Sequence, residues 1–245
     1  MKTSNHLLRR LTAALLAAVL ALSIALPVFA SDDGDTIYIN SVSDLLSLAR
    51  NCAYDQWSVG KTVILQKDLS LEGMLWEPIP SFSGQFKGNG HTISDLTITG
   101  QYSPAGLFGI VEEQGSIESL SVRGVVSVSD SADTTTGGIV GINHGTLISC
   151  QFTGVVTGDS EVGGIVGRNE SEGTIDHSTA RAIVTGKSST GGIAGYNLGA
   201  ITGCTNVGSI NTEYPEASLD TDGFTAKMVD YINNKMAAAD DDATN

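Results

Sequence analysis

Asp130, Asp133, Asp159 and Glu161 come nearest, in type and spacing, to a reactive constellation in this sequence. All four lie in loops that follow comparable β-like segments, and Lys187 lies on the next such loop along the chain. Carboxylates gathered at one edge offer the hard oxygen ligands that Ca²⁺ takes. A calcium-dependent lyase acting on an acidic polysaccharide would add a basic residue to abstract a proton beside the sugar carboxylate. On that reading the chemistry falls to Asp130, Asp159, Glu161 and Lys187. The competing account is that acidic loop tips are ordinary where 27 acidic residues face 13 basic ones, for a net charge of −14.

Aromatic side chains suggest a second kind of chemistry, stacking on sugar rings. Trp57, Trp76, Phe82, Phe86 and Tyr102 gather in the N-terminal part, whereas Tyr196 stands alone on the later sequence. Trp76 and Tyr102 are the candidate glycan-binding patch, against the plainer expectation that these aromatics pack a cap. The histidines after the leader, His91, His144 and His177, have no nucleophile or carboxylate pair placed to use them, and His177 falls on an expected strand beside Asp176. There is no HExxH, no GxSxG and no phosphate-binding glycine loop. Thr97 and Thr99 make one TxT pair, but Ala200 breaks the column begun by Thr146 and Thr174, so no flat threonine array is expected.

These residues must be positioned by repeated elements. GGIVGINHGTLISC (137–150) returns as GGIVGRNESEGTIDHS (163–178) and GGIAGYNLGAITGC (191–204), with a degenerate first copy, AGLFGIVEEQGSIESL (105–120). Aligned on Gly106, Gly138, Gly164 and Gly192, the copies are 32, 26 and 28 residues apart. Leu107, Ile139, Ile165 and Ile193 form one aliphatic column, and Ile117, Leu147, Ile175 and Ile201 form another. Three short β-like pieces per unit, of the form GIVG, TLISC and GVVTG, are punctuated by turn-formers. Units this short suit one rung of a solenoid, with rungs stacked about 4.8 Å apart. The expected fold is all-β: a single-stranded right-handed parallel β-helix of five or six rungs with short helical caps. The glycines are expected at corners that need positive φ and at close sheet approaches. Asn143, Asn169 and Asn197 read as a structural ladder of stacked amides at one turn, ending at Val111.

The ends differ in character. Residues 1–30 read as a secretory signal peptide: Lys2, Arg9 and Arg10, an apolar run from Leu11 to Ile24, and small residues before Ser31. Without that leader ten basic residues face 27 acidic ones, a net charge of −17. Such a surface repels phosphate backbones and anionic bilayers, so no nucleic-acid partner and no membrane span after cleavage are expected. Residues 31–104 should supply a helical cap, over 41–50, and the first β rungs. Residues 105–211 carry the repeats. Residues 212–245 should hold a second helix over 222–239, capping the far end or folding back on a face, and an acidic disordered tail. The cysteines after the leader, Cys52, Cys150 and Cys204, form no disulfide framework. Cys150 and Cys204 share a column two rungs apart, roughly 9.6 Å, beyond the bridging limit of about 7 Å.

GGIVGxNxGxI(x)xC with a following GxVxG resembles the GLUG-motif repeat of bacterial secreted and surface proteins. WEPIP followed by FSGQFKGNGHTISDL, within 76–96, is similar to the segment that commonly precedes it. Together they span roughly residues 36–211. The resemblance implies the β-helix and an extracellular setting, since such repeats occur in large adhesin-like proteins and beside peptidase domains, some of them immunoglobulin-degrading. It brings no catalytic residue with it. The expectation is therefore a secreted, monomeric, non-catalytic binding or adhesion module, needing no cofactor to fold and facing a glycan or cell-surface protein. It would be free or held non-covalently at the surface, as there is no LPxTG-type signal. The alternatives are the calcium-dependent polysaccharide enzyme and an inert structural scaffold.

Overall fold

The structure of the protein, a computed structural model, describes residues 35–54, 56–128 and 134–211. The expected leader, the 222–239 helix, Asp130 and Asp133 lie outside the described residues.

The chain coils into a parallel β-solenoid. A first face stacks seven strands: Thr36–Ile39, Thr62–Leu65, Gln85–Lys87, Ser116–Glu118, Thr146–Ile148, Thr174–Asp176 and Ala200–Thr202. A second face runs from Leu69–Ser70 through Thr92–Gly100, Ser121–Val128, Gln151–Thr157 and Thr179–Thr185 to Thr205–Asn206, and Ser209–Ile210 also pairs with Thr179–Thr185. A third stacks Ile79–Phe82, Phe108–Val111, Val140–Asn143, Val166–Asn169 and Ala194–Asn197. Every pairing is parallel and joins neighbouring rungs.

The aliphatic columns lie inside. Phe86, Ile117, Leu147 and Ile175 are directly paired and fully buried. On the second face Ile98, Val126, Val156 and Val184 do the same. Alternation along each strand points these side chains inward because successive residues face opposite ways. At the first rung the helix Val42–Asn51 buries Leu45 and Leu48 against the core. Ser41 caps it: the Asp44 N–H donates to the Ser41 hydroxyl at 3.2 Å, and the Asn40 N–H donates to the Asp44 carboxylate at 2.9 Å. Phe82, Phe86 and Phe108 pack as an aromatic cluster near this end, with centroids 5.4–6.3 Å apart.

Two details depart from the sequence expectation. The phrase GGIVG is not one strand: its first glycine belongs to a separate two-residue strand, seen as Thr136–Gly137, Val162–Gly163 and Thr190–Gly191, and the chain bends before the third face. Its paired glycines also do not supply positive φ. A left-handed corner after the first face falls instead to Ser119, Ser149, His177 and Gly203, at φ 52°, 53°, 46° and 62°. His177 is therefore a turn residue rather than a strand residue. The phrase glycines serve close approach: a Cβ at Gly138 would collide with the Phe152 ring, which fills that space.

Candidate functional site

The outward side of the third face carries the polar chemistry. Its register places Ser81, Ile110, Ile142, Arg168 and Tyr196 in one column, one residue per rung. Four steps of about 4.8 Å make a strip roughly 19 Å long. The short strands fold back onto this face because the next column is glycine. At Gly167 a Cβ would stand 2.6 Å from the Thr136 nitrogen, so only glycine lets that segment lie flat.

This folding back delivers Glu161 to Arg168. Arg168 Nε donates to Glu161 Oε2 at 2.7 Å, and Nη2 closes the fork on Oε1. Thr135 Oγ1 donates to the same carboxylate at 3.0 Å, and Glu170 receives Nη1 at 3.5 Å. Burial opposes ionisation of Glu161. The hydrogen bonds from Arg168 and Thr135, with the Arg168 charge, outweigh that and hold the carboxyl below its ordinary range. The guanidinium, raised further by its bonds to Glu161, also lies 5.4 Å from the centre of the Tyr196 ring. Both remain accessible, with the Arg168 side chain 38% and Tyr196 41% exposed.

A turn stack borders the strip where the third face passes into the first. The connections 112–115 and 170–173 are four residues long, and between them lies a two-residue turn, 144–145, that carries His144. The short turn leaves a shallow cleft of about 540 Å³, lined among others by Gln56, Ser81, Ser83, Glu112, Gln114 and His144. Ser81 Oγ donates to Glu112 Oε1 at 2.7 Å, which orients that carboxylate at the cleft. Behind the turns Asn143 Nδ2 donates to Asn169 Oδ1 at 2.7 Å, and Asn169 Nδ2 to Asn197 Oδ1 at 2.8 Å. Each amide also donates to its own turn, at Gly145, Gly173 and Gly199.

Residues singled out from the sequence are placed differently. Trp76 is 2% exposed and its indole N–H donates to Leu107 O at 3.2 Å, so it packs the core and presents no face to a sugar. Tyr102 packs partly buried against the core. Asp159 is ion-paired to Lys187 at 2.7 Å, while Glu161 is committed to Arg168, so the two carboxylates hold separate cations rather than a shared one. No group of three His, Cys, Asp or Glu side chains among the described residues could hold a metal ion. His91 meets Asp68 at 3.2 Å and His177 meets Asp176 at 2.8 Å, on corners away from the cleft.

The signal for the strip was present in the repeat. Ile142, Arg168 and Tyr196 are the variable residue of GGIVGxN, which an outward-facing position permits. The seven-residue separation of Glu161 and Arg168 has no meaning until the chain bends at the glycine pair.

Comparison with known proteins agrees with the repeat. A family model for the GLUG motif matches residues 158–185, one full turn of the solenoid. Over 155 residues the chain is 30% identical to Halomucin of Haloquadratum walsbyi, covering 58% of this chain and 2% of that protein. It is 29% identical over 137 residues to a proposed Gly-rich membrane protein of Evansella cellulosilytica, covering 40% of this chain and 16% of that one. The chain thus spans a small fraction of these curated relatives. A proposed immunoglobulin A1 protease from Bacteroides ovatus aligns at a TM-score of 0.41 and 15% identity, over 76% of this chain and 80% of that one, too distant to carry an argument. Among the described residues no helix is long and apolar enough to cross a membrane.

Proposed function

We propose that this GLUG-motif repeat protein is a non-catalytic extracellular binding module, and that its third face recognises a neutral or amine-bearing glycan. The observation that supports this most is the Glu161–Arg168–Tyr196 constellation, held rigid yet exposed on a strip of Ile110 and Ile142. A sugar ring stacks on an aromatic face while planar polar groups address its hydroxyls. The arginine fork is held on Glu161 before the ligand arrives, which lowers the ordering cost of binding. The strip ends in a cleft of amide, hydroxyl and carboxylate groups suited to further hydroxyls.

Charge favours this ligand class over acidic polymers. Glu112, Glu113, Glu170 and Glu172 border the strip in a chain of net charge −14, so uronate-rich polysaccharides meet repulsion. That weighs against the lyase alternative, as does the engagement of its base, Lys187, by Asp159. The stretch shared with Halomucin is 2% of that protein, a proportion that suits a reusable module better than a complete enzyme.

The test is a glycan array probed with the purified protein, with and without Ca²⁺, alongside Arg168→Ala and Tyr196→Ala checked for unchanged far-ultraviolet spectra. Retention on neutral or amino-sugar glycans, lost in both variants, is the expected result. Binding confined to uronates, or variants that bind like the parent, would overturn the reading.

A further inference from the structure

Among the described residues the stack is covered at one end and uncovered at the other. At the first rung the helix Val42–Asn51 covers the core, and Ile39, Val63 and Leu65 beside it are fully buried. At the last rung the inward columns run out into solvent. Phe86, Ile117, Leu147 and Ile175 are each 0% exposed, yet Ile201, next in that column, is 38% exposed. The column Ile98, Val126, Val156, Val184 ends in the same way, at Ile210, 41% exposed. Leu198 and Val207 add to the uncovered apolar surface. Ala194–Asn197, Ala200–Thr202 and Thr205–Asn206 are also the outermost strands of their sheets, an edge that natural proteins cover or blunt.

We propose that residues 222–239 of the same chain form an amphipathic helix that covers this end. The chain leaves its last described strand at Ile210, directly on the open rung, and 34 residues follow Asn211. Phe224, Met228, Ile232 and Met236 recur every fourth residue, with Val229 beside them, and so share one helical face, while Lys227, Asp230 and Asn234 fall away from it. Residues 212–221 bridge the gap, and ten extended residues reach about 33 Å. The packed faces are only about 10 Å apart, so a helix lying across the end is well within reach. The other terminus already solves the same problem with an amphipathic helix, laying Leu45 and Leu48 on its rung. Solenoids need such terminal caps because an end unit buries only one of its two faces. This inference is independent of the glycan reading.

Cys204 is the natural reporter, since it sits on the open rung, half-buried and free of any disulfide. Its alkylation rate is followed by mass spectrometry, with the solution mass, in the purified protein, in Ile232→Glu and in the polar-face control Asn234→Glu. The cap predicts slow labelling in the parent and the control, and labelling faster by about tenfold in Ile232→Glu, all three monomeric. Equal rates in all three, fast or slow, would overturn it. A dimer whose labelling quickens on dilution would identify a second copy as the cover, and overturn it too. Should Ile232→Glu not fold, a benzophenone side chain at position 232 decides instead. An adduct within one chain to residues 194–211 supports the cap, and an adduct elsewhere, between copies or none at all argues against it.

Discussion

The Glu161–Arg168 pair sets the pH behaviour of the third face. Its carboxyl is held below the ordinary value of 4.5, so it stabilises the fold above that value. The contribution disappears as pH falls through the lower folded value, where the carboxyl gains a proton and loses the fork. Glu161→Gln should therefore lower stability by about 1 kcal/mol near neutrality, a modest figure because Arg168 is partly solvated. It should also flatten the fall in midpoint on acidification below about pH 4.5. Urea titrations of parent and variant at several pH values check both, and parallel acid limbs would contradict the assignment. Burial dominates at another residue: against two opposing backbone hydrogen bonds it pushes the Cys150 thiol up to about 12. Native protein at pH 8 should leave Cys150 unmodified by a thiol reagent over hours, with full reaction only on unfolding.

The amide ladder links elements rather than single residues. Asn169 is its middle member, buried between Asn143 and Asn197, so Asn169→Ala strands a donor on one side and an acceptor on the other. The expected cost is about 1–3 kcal/mol in chemical denaturation, more than Asn197→Ala at the exposed end of the ladder. Repeats of this kind make elements legible, because any residue shared by column must suit the rung above and the rung below. The inward columns and the amide column were readable for that reason, whereas the helix over 41–50 was readable from its capping serine and the spacing of Leu45, Leu46 and Leu48. Two things were not. The bend inside GGIVG is set by space for the Phe152 ring and the returning strand, partners that only the coiled chain supplies. The positive φ at Ser119, Ser149 and His177 goes against local propensity and is imposed by the corner the stack requires. The candidate site depends on the first of these, so its strip stayed hidden although each of its residues stood in plain view. Trp76 misled for the opposite reason, since an aromatic type alone does not say which face of a rung it occupies.

Stability of the whole molecule is spread along one axis. Strands pair only with the rungs on either side, and the cysteines among the described residues are free, so no cross-link ties distant rungs together. In such a chain each rung contributes its own term and two interface terms. A weak terminal rung frays by itself, whereas a weak central rung uncouples the two halves. Leu147 occupies the middle of the fully buried column between Ile117 and Ile175. Leu147→Ala opens a cavity that neighbours pinned by sheet pairing cannot collapse into, and should cost about 2–5 kcal/mol. It should also broaden the urea transition, because the halves then unfold at different denaturant concentrations. Ile201→Ala, on the open rung, should cost about 1 kcal/mol or less and leave the slope unchanged if nothing covers that end. A covered end raises that cost toward the Leu147 figure. The two denaturation curves side by side thus measure how far the core continues past the last described strand.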